Sequence, residues 1–216
     1  MRKLALIVVT VITLPNAARA QACRGSVSFA TVPVRVGGGM IFGESYTAYA
    51  ASLIAGKENA AFGALGVARI YDDDFDDTED RVFAEFGYQR PLGQHAQLCP
   101  VIGGSLGRGP DDDGFEVKSR FASAGVALGY TYRPVPSVRF IPNGSLAFQY
   151  AASDWTDPNG SKEALSDNSG LVDLGLGFVF FNDRLAIQPT MQFPFAAEDN
   201  SVTYGLVISI GFGLRR

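Results

Sequence analysis

The stretch SVTYGLVISIGFGLRR, residues 201–216, alternates between large apolar and small side chains. Successive side chains of a β-strand point to opposite faces, so this pattern predicts one long strand with a bulky apolar face and a face of small residues. The large set is Val202, Tyr204, Leu206, Ile208, Ile210, Phe212 and Leu214, and the opposite set is Thr203, Gly205, Val207, Ser209, Gly211 and Gly213.

The first twenty residues, MRKLALIVVTVITLPNAARA, have the pattern of a secretory signal peptide. A basic start at Arg2 and Lys3 precedes an apolar core at residues 4–14, and residues 18–20 form an A-x-A cleavage site. We therefore divide the chain into a signal peptide at residues 1–20 and one mature domain at residues 21–216. Because the mature part has no run of 18 apolar residues, a transmembrane helix is not expected.

Net charge argues against a nucleic-acid partner. The chain carries 18 basic and 22 acidic residues, and cleavage of the leader removes three basic residues and no acidic one, which leaves 15 against 22. Phosphate binding along a nucleic acid needs a basic surface. The chain is nevertheless 47% hydrophobic and only 19% charged, which is apolar for an exported soluble protein.

Apolar residues recur with a period of two along nearly the whole mature chain. This predicts an all-β fold, an antiparallel up-and-down transmembrane β-barrel of about ten strands, with eight as the alternative count. Strands of about ten to fifteen residues exceed the globular norm and suit a tilted membrane crossing. The expected strands are residues 32–43, 46–56, 60–71, 81–90, 96–107, 120–133, 138–152, 171–181, 184–195 and 202 onward.

The connections alternate between short turns and longer acidic loops. In an up-and-down barrel every second connection lies at the same end, which predicts periplasmic turns at one end and acidic extracellular loops at the other. The stretch 153–170 is expected to be one of these loops. The most acidic loop either binds divalent cations or is a solvated loop of like charges, and its acidic residues are Asp72, Asp73, Asp74, Asp76 and Asp77.

Two kinds of barrel can carry this alternation. A soluble barrel turns its apolar face inward, whereas a membrane barrel turns it to lipid and fills a narrow lumen with small and polar groups. The polar faces of these strands bear almost no Lys or Glu, which favours the membrane barrel. We predict an internal ion-pair network that plugs the lumen, with isolated charges near the openings as the alternative, and the charges are Arg35, Glu85, Arg139 and Asp173.

The two cysteines are candidates for a disulfide, since export leads to an oxidising compartment. By the alternation of its strand, Cys99 is expected on the lumen face, near the short-turn end. Cys23 precedes the first strand and is therefore at that same end. We predict that Cys23 and Cys99 join and tie the N-terminal segment across the periplasmic mouth. The alternative is two free thiols.

Catalytic motifs are absent from the sequence. The single histidine, His95, lies in the turn PLGQHA at the expected periplasmic end, and neither a G-x-S-x-G motif nor a His-based metal motif occurs. We assign no catalytic, cofactor or metal residue and expect that the protein is not an enzyme.

The leader, the alternating strands, the loop asymmetry and the closing strand resemble those of small bacterial outer-membrane β-barrel proteins, the group with porin-like and outer-membrane-protein-A-like barrels. The resemblance implies localisation in the outer membrane, contact with its lipid, and recognition of the closing strand by the outer-membrane insertion machinery. Such barrels usually end on an aromatic residue, whereas here Phe212 is followed by residues 213–216.

This family shares architecture more than activity. We expect a non-enzymatic protein with a structural role in the envelope or a role in surface interaction. The alternatives are a narrow porin for small solutes, an outer-membrane hydrolase, and a soluble periplasmic ligand-binding barrel.

Overall fold

The computed structural model describes residues 23, 25, 29, 32–72, 77–109, 116–135, 137–196 and 201–213, with the backbone alone at Asp77. Within these residues the chain is all-β, and no helix is long and apolar enough to cross a membrane. The strands are Val34–Phe42 (β1), Tyr46–Gly56 (β2), Ala61–Asp72 (β3), Asp77–Tyr88 (β4), Arg90–Leu92 (β5), Ala96–Arg108 (β6), Glu116–Tyr130 (β7), Tyr132–Val135 (β8), Val138–Thr156 (β9), Lys162–Phe180 (β10), Leu185–Phe195 (β11) and Thr203–Phe212 (β12).

The short strands β5 and β8 each continue the longer strand that precedes them, β4 and β7. Gln89 separates β5 from β4, and both pair with β6. Thr131 separates β8 from β7, and both pair with β9. The described strands therefore form a ten-strand antiparallel barrel in up-and-down order, which confirms the predicted fold class and the count of ten rather than eight.

The first and last strands close the barrel. β1 pairs with β12 from Val34 opposite Phe212 to Phe42 opposite Tyr204. A closed sheet has no edge strand, so backbone N–H and C=O groups along both strands are paired within the sheet.

The closing strand has the two faces that its sequence predicts. Its bulky side chains point outward, and four of them (Tyr204, Ile208, Ile210 and Phe212) are 45–57% exposed. Thr203 and Ser209 point inward and are buried. The outside of the barrel is therefore an apolar surface, whereas the buried apolar clusters found among the described residues lie inside it.

The stretch 153–170, expected to be a loop, instead continues two strands. β9 extends to Thr156 and β10 begins at Lys162, and they pair from Lys162 opposite Thr156 onward. The Asp157 carboxylate accepts hydrogen bonds from the backbone N–H groups of Asn159 (2.9 Å) and Ser161 (2.7 Å), which fix the turn. The alternation is missing from residues 162–168 because both faces of this part of β10 are exposed, so no face is selected for apolar residues.

We expect Leu174→Arg to lower the free energy of unfolding in phospholipid vesicles by about 2–4 kcal/mol, because it puts a charge on the apolar exterior of β10. The matched control is Leu165→Arg on the exposed part of the same strand, where the change should be within about 0.5 kcal/mol. Denaturant titration followed by fluorescence of Trp155 measures both. Equal effects of the two substitutions would contradict a lipid-facing exterior.

Candidate functional site

Two of the charges assigned to the lumen converge on one turn at the short-turn end of the barrel. Arg35 is fully buried on β1, and its Nη2 donates to the backbone oxygen of Asp183 at 2.7 Å. Arg139 on β9 forms an ion pair with the Asp183 carboxylate, with Nη1 and Oδ2 3.1 Å apart. One buried acidic residue thus joins β1 and β9 to the turn between β10 and β11.

Asp183 was not among the predicted site residues. The sequence places it in a turn, where an acid is normally solvated, yet here it is only 4% exposed. Phe181, Asn182 and Asp183 all have positive φ values, of 53°, 53° and 73°. Positive φ values are uncommon for residues other than glycine, and here three consecutive ones have them. No local sequence signal indicates that the Asp183 carboxylate would be buried.

Three described residues that precede β1, namely Cys23, Gly25 and Phe29, lie inside the barrel. A disulfide joins Cys23 to Cys99 on the inner face of β6, as predicted, and both residues are buried. The ring of Phe29 packs against that of Phe62 on β3, with centroids 6.1 Å apart.

The same segment also reaches the opposite wall. Gly25 has a φ of +62° and lies so close to Gly177 on β10 that a Cβ on Gly177 would overlap its carbonyl oxygen. Cys23, Gly25 and Phe29 thus contact β6, β10 and β3 from inside the barrel, near its short-turn end.

A cavity of about 330 Å³ lies beside these residues. Part of its wall is apolar, from Phe29, Ile54, Phe62 and Phe83. The other part is polar and includes two of the predicted lumen charges; its side chains are Ser52, Glu85, Gln89, Gln97, Asn143, Ser145, Asp173, Gln188, Thr190 and Gln192.

A hydrogen-bonded chain crosses β10, β11 and β12 at the end of this cavity. Gln192 Nε2 donates to Asp173 Oδ2 at 3.0 Å, and Thr203 Oγ1 donates to Gln192 Oε1 at 3.1 Å. Gln192 and Thr203 also line a second cavity of about 230 Å³ at the long-loop mouth, where Ser201 donates to Glu44 at 2.7 Å. The chain therefore lies between the two cavities.

Another charged group lies on the inner face near that mouth. Arg81 donates to both carboxylate oxygens of Glu79, at 2.7 and 2.8 Å, and Ser119 on β7 donates to the same carboxylate. This group links β4 to β7 across β6.

The four predicted lumen charges thus fall into two groups. Arg35 and Arg139 share Asp183, whereas Glu85 and Asp173 line the central cavity. Of the acidic loop, Asp72 ends β3 and Asp77 begins β4, and Asp73, Asp74 and Asp76 lie outside the described residues. Cation binding by that loop stays a prediction.

His95 lies in the turn between β5 and β6, at the short-turn end. Its ring centroid is 5.7 Å from that of Tyr130 on β7. The side chain therefore packs at the end of the barrel that is remote from the long loops.

We expect Asp183→Asn to lower the free energy of unfolding by about 3 kcal/mol, because it removes the carboxylate that pairs with Arg139 and the negative charge beside the buried Arg35, whose own bond is to the backbone oxygen of Asp183. Asn tolerates the positive φ at this position, so backbone strain is not the cause. Asp167→Asn, on the exposed part of β10, is the matched control and should change the stability by less than about 0.5 kcal/mol. Denaturant titration in vesicles measures both, and equal stabilities of the two variants would contradict a role for this cluster.

No protein-family model and no curated protein matches this sequence. The translocator domain of the autotransporter NalP from Neisseria meningitidis shares its fold, with a TM-score of 0.57 and 11% identity, covering 85% of this chain and 88% of that chain. The attachment invasion locus protein Ail of Yersinia pestis, solved with sucrose octasulfate, has a TM-score of 0.44 and 12% identity, covering 84% and 95%. The N-terminal β-barrel domain of Pseudomonas aeruginosa OprF has a TM-score of 0.38 and 9% identity, covering 83% and 96%. With its closed ten-strand sheet and apolar exterior, the chain has the fold of outer-membrane β-barrels.

Proposed function

We propose that this protein is a non-enzymatic component of the bacterial outer membrane, exported with a signal peptide that is cleaved after residue 20. Its barrel is sealed, and its role is to maintain the envelope or to interact with partners at the cell surface. The observation that carries the sealed barrel is that Cys23 is bonded to Cys99 on one wall of the lumen while Gly25 lies against Gly177 on another.

Three features support a sealed lumen. A barrel of about ten strands has a narrow interior that side chains largely fill. The disulfide holds the N-terminal segment in place, and the loop that it closes stabilises the fold by about 4 kcal/mol. At the short-turn end, Arg35 and Asp183 are buried and hydrogen-bonded to each other, so their side chains occupy the lumen there.

The length of one hairpin supports a role at the surface. β9 and β10 have 19 residues each, about 60 Å when extended, whereas a tilted strand crosses a bilayer with about ten. Among the described residues β10 pairs with β11 only from Gly170 onward, and residues 162–168 are exposed. We therefore assign the long-loop end to the cell exterior and the projecting hairpin to contacts outside the membrane.

The narrow porin is the second candidate. The polar wall of the central cavity favours it, because Glu85, Asp173 and several amides could pass small hydrophilic solutes. The two functions differ in whether the wild-type lumen conducts ions.

We expect the purified wild-type protein to give no steady conductance in planar bilayers. Cys23→Ser should bring brief openings, because it releases the N-terminal segment from β6. Ser166→Ala, on the exposed part of β10, is the control and should stay silent. Steady open channels in the wild type would overturn the sealed barrel and favour the porin.

We expect an epitope inserted after Gly160 to bind antibody on intact cells, since it lies in the turn of the projecting hairpin. An epitope inserted after Gly93, in a turn at the opposite end, should bind antibody only after the outer membrane is permeabilised. The two sites are matched, because both glycines have positive φ and a Cβ on either would contact nothing within 4 Å. Access to both epitopes only after permeabilisation would favour a soluble periplasmic barrel, and the reverse pattern would invert the orientation.

A further inference from the structure

The central cavity of about 330 Å³ has two unlike walls. Phe29, Phe62 and Phe83 give one side an aromatic surface, whereas β9, β10 and β11 give the other side amide, hydroxyl and carboxylate groups. β10 and β3 are five positions apart in the ring of ten strands, so the polar wall faces the aromatic wall across the lumen. Small-molecule sites have this size, about 300–1,000 Å³, and this combination of apolar walls with a few polar groups.

The charged residues in the lining of this cavity are both acidic. They are Glu85 on β4 and Asp173 on β10, and no Lys, Arg or His of the described chain lines the cavity. The buried cluster of Arg35, Arg139 and Asp183 lies outside the lining. The lining therefore favours a cation over an anion.

The Asp173 carboxylate has room for a further hydrogen-bond donor. Its Oδ2 accepts one hydrogen bond from Gln192 Nε2 at 3.0 Å, which holds the carboxylate at the polar wall. Among the described residues no cation forms an ion pair with Asp173. Because an ionised carboxylate has about four acceptor sites, Asp173 can accept from an ammonium group in the cavity.

A second acceptor in the lining is also unused. Gln89, between β4 and β5, is only 4% exposed, and its Oε1 has no hydrogen-bond partner within the described part of the chain. Buried polar atoms without a partner are rare in folded proteins. Both groups with unused capacity are acceptors, so the lining is complementary to a ligand that brings N–H donors.

We infer that the central cavity binds a small organic cation, namely a protonated amine with an aromatic body. The ammonium group donates to Asp173, and the aromatic body packs against Phe83 and the neighbouring phenylalanine rings. An ammonium group has three donors and no acceptor, which matches the polar wall. A neutral alcohol would lack the charge-assisted hydrogen bond, and an inorganic cation would leave the aromatic wall uncovered.

This inference goes beyond the proposed role in the envelope and does not depend on it. An amine can occupy the lumen of a sealed barrel as well as that of a porin. Binding and conductance are therefore separate measurements.

The test is isothermal titration calorimetry of the full mature protein, folded in a non-ionic detergent at neutral pH. The probes are phenethylamine, phenethyl alcohol and phenylacetate, which share an aromatic ring and differ in charge. We expect one phenethylamine to bind per protein, about tenfold more tightly than phenethyl alcohol, and phenylacetate to give no binding heat. Titration into detergent alone gives the heat of partition into micelles, which is subtracted.

Two variants separate the polar wall from the aromatic wall. Asp173→Asn keeps an oxygen that accepts from Gln192 but removes the charge, so it should weaken phenethylamine binding about tenfold and leave phenethyl alcohol binding unchanged. A purely structural effect of this substitution would change both affinities alike. Ala64→Met enlarges a residue of β3 that lines the cavity, so it should weaken the binding of both probes.

Two controls match these variants. Asp167→Asn removes a carboxylate from the exposed part of β10, and Ala55→Met enlarges an exposed residue of β2 outside the cavity lining. Both should bind phenethylamine as the wild type does. Equal wild-type affinities for phenethylamine and phenethyl alcohol, tighter binding of phenylacetate, or wild-type affinity for phenethylamine in Asp173→Asn would each overturn the inference.

Folding and conductance are measured on the same samples. Each variant should keep the heat-modifiable electrophoretic mobility of a folded barrel. A folded wild-type protein that neither conducts nor binds phenethylamine overturns the amine site alone. Steady conductance together with selective amine binding overturns the sealed barrel and supports the amine site.

Discussion

The pairing of β1 with β12 is the constraint on which the rest of the structure depends. Within a bilayer, water does not satisfy backbone N–H and C=O groups, so a sheet can cross it only when its first and last strands pair. The register from Val34 opposite Phe212 to Phe42 opposite Tyr204 meets this condition. Once the sheet is closed, the strict alternation of side chains separates an apolar exterior from an interior of small and polar groups.

Closure also creates a lumen that must be filled. Three kinds of group occupy it from the short-turn end upward: the Arg35, Arg139 and Asp183 cluster, the N-terminal residues held by the disulfide, and the polar chain through Gln192. The cost of burying these charges is partly offset, because Arg139 pairs with the Asp183 carboxylate and Arg35 donates to the Asp183 backbone oxygen. The interior is therefore stabilised by polar contacts on one wall and by packing of Phe29 against Phe62 on the other.

The strands were predictable from the sequence where one face meets lipid and the other meets the lumen, because the two surroundings favour different kinds of side chain. β2 has its predicted bounds, and β11 begins at Leu185, one residue after its predicted start. The prediction failed at residues 153–170, which extend β9 and β10 as paired strands and in which residues 162–168 are exposed on both faces. Without a difference between faces there is no period of two, and polar strand residues look like a loop.

The sequence by itself determined the all-β class, the faces of the closing strand and the pairing of Cys23 with Cys99, because these follow from local alternation and from having two cysteines in an exported chain. Only the tertiary structure decided which charges meet. Arg35 and Asp183 are 148 residues apart, and a row of opposed charged residues from Arg69 on β3 to Asp154 on β9 joins five strands. Such contacts depend on strand register and on closure, which combine positions far apart in the chain, so a pattern read along one strand does not contain them.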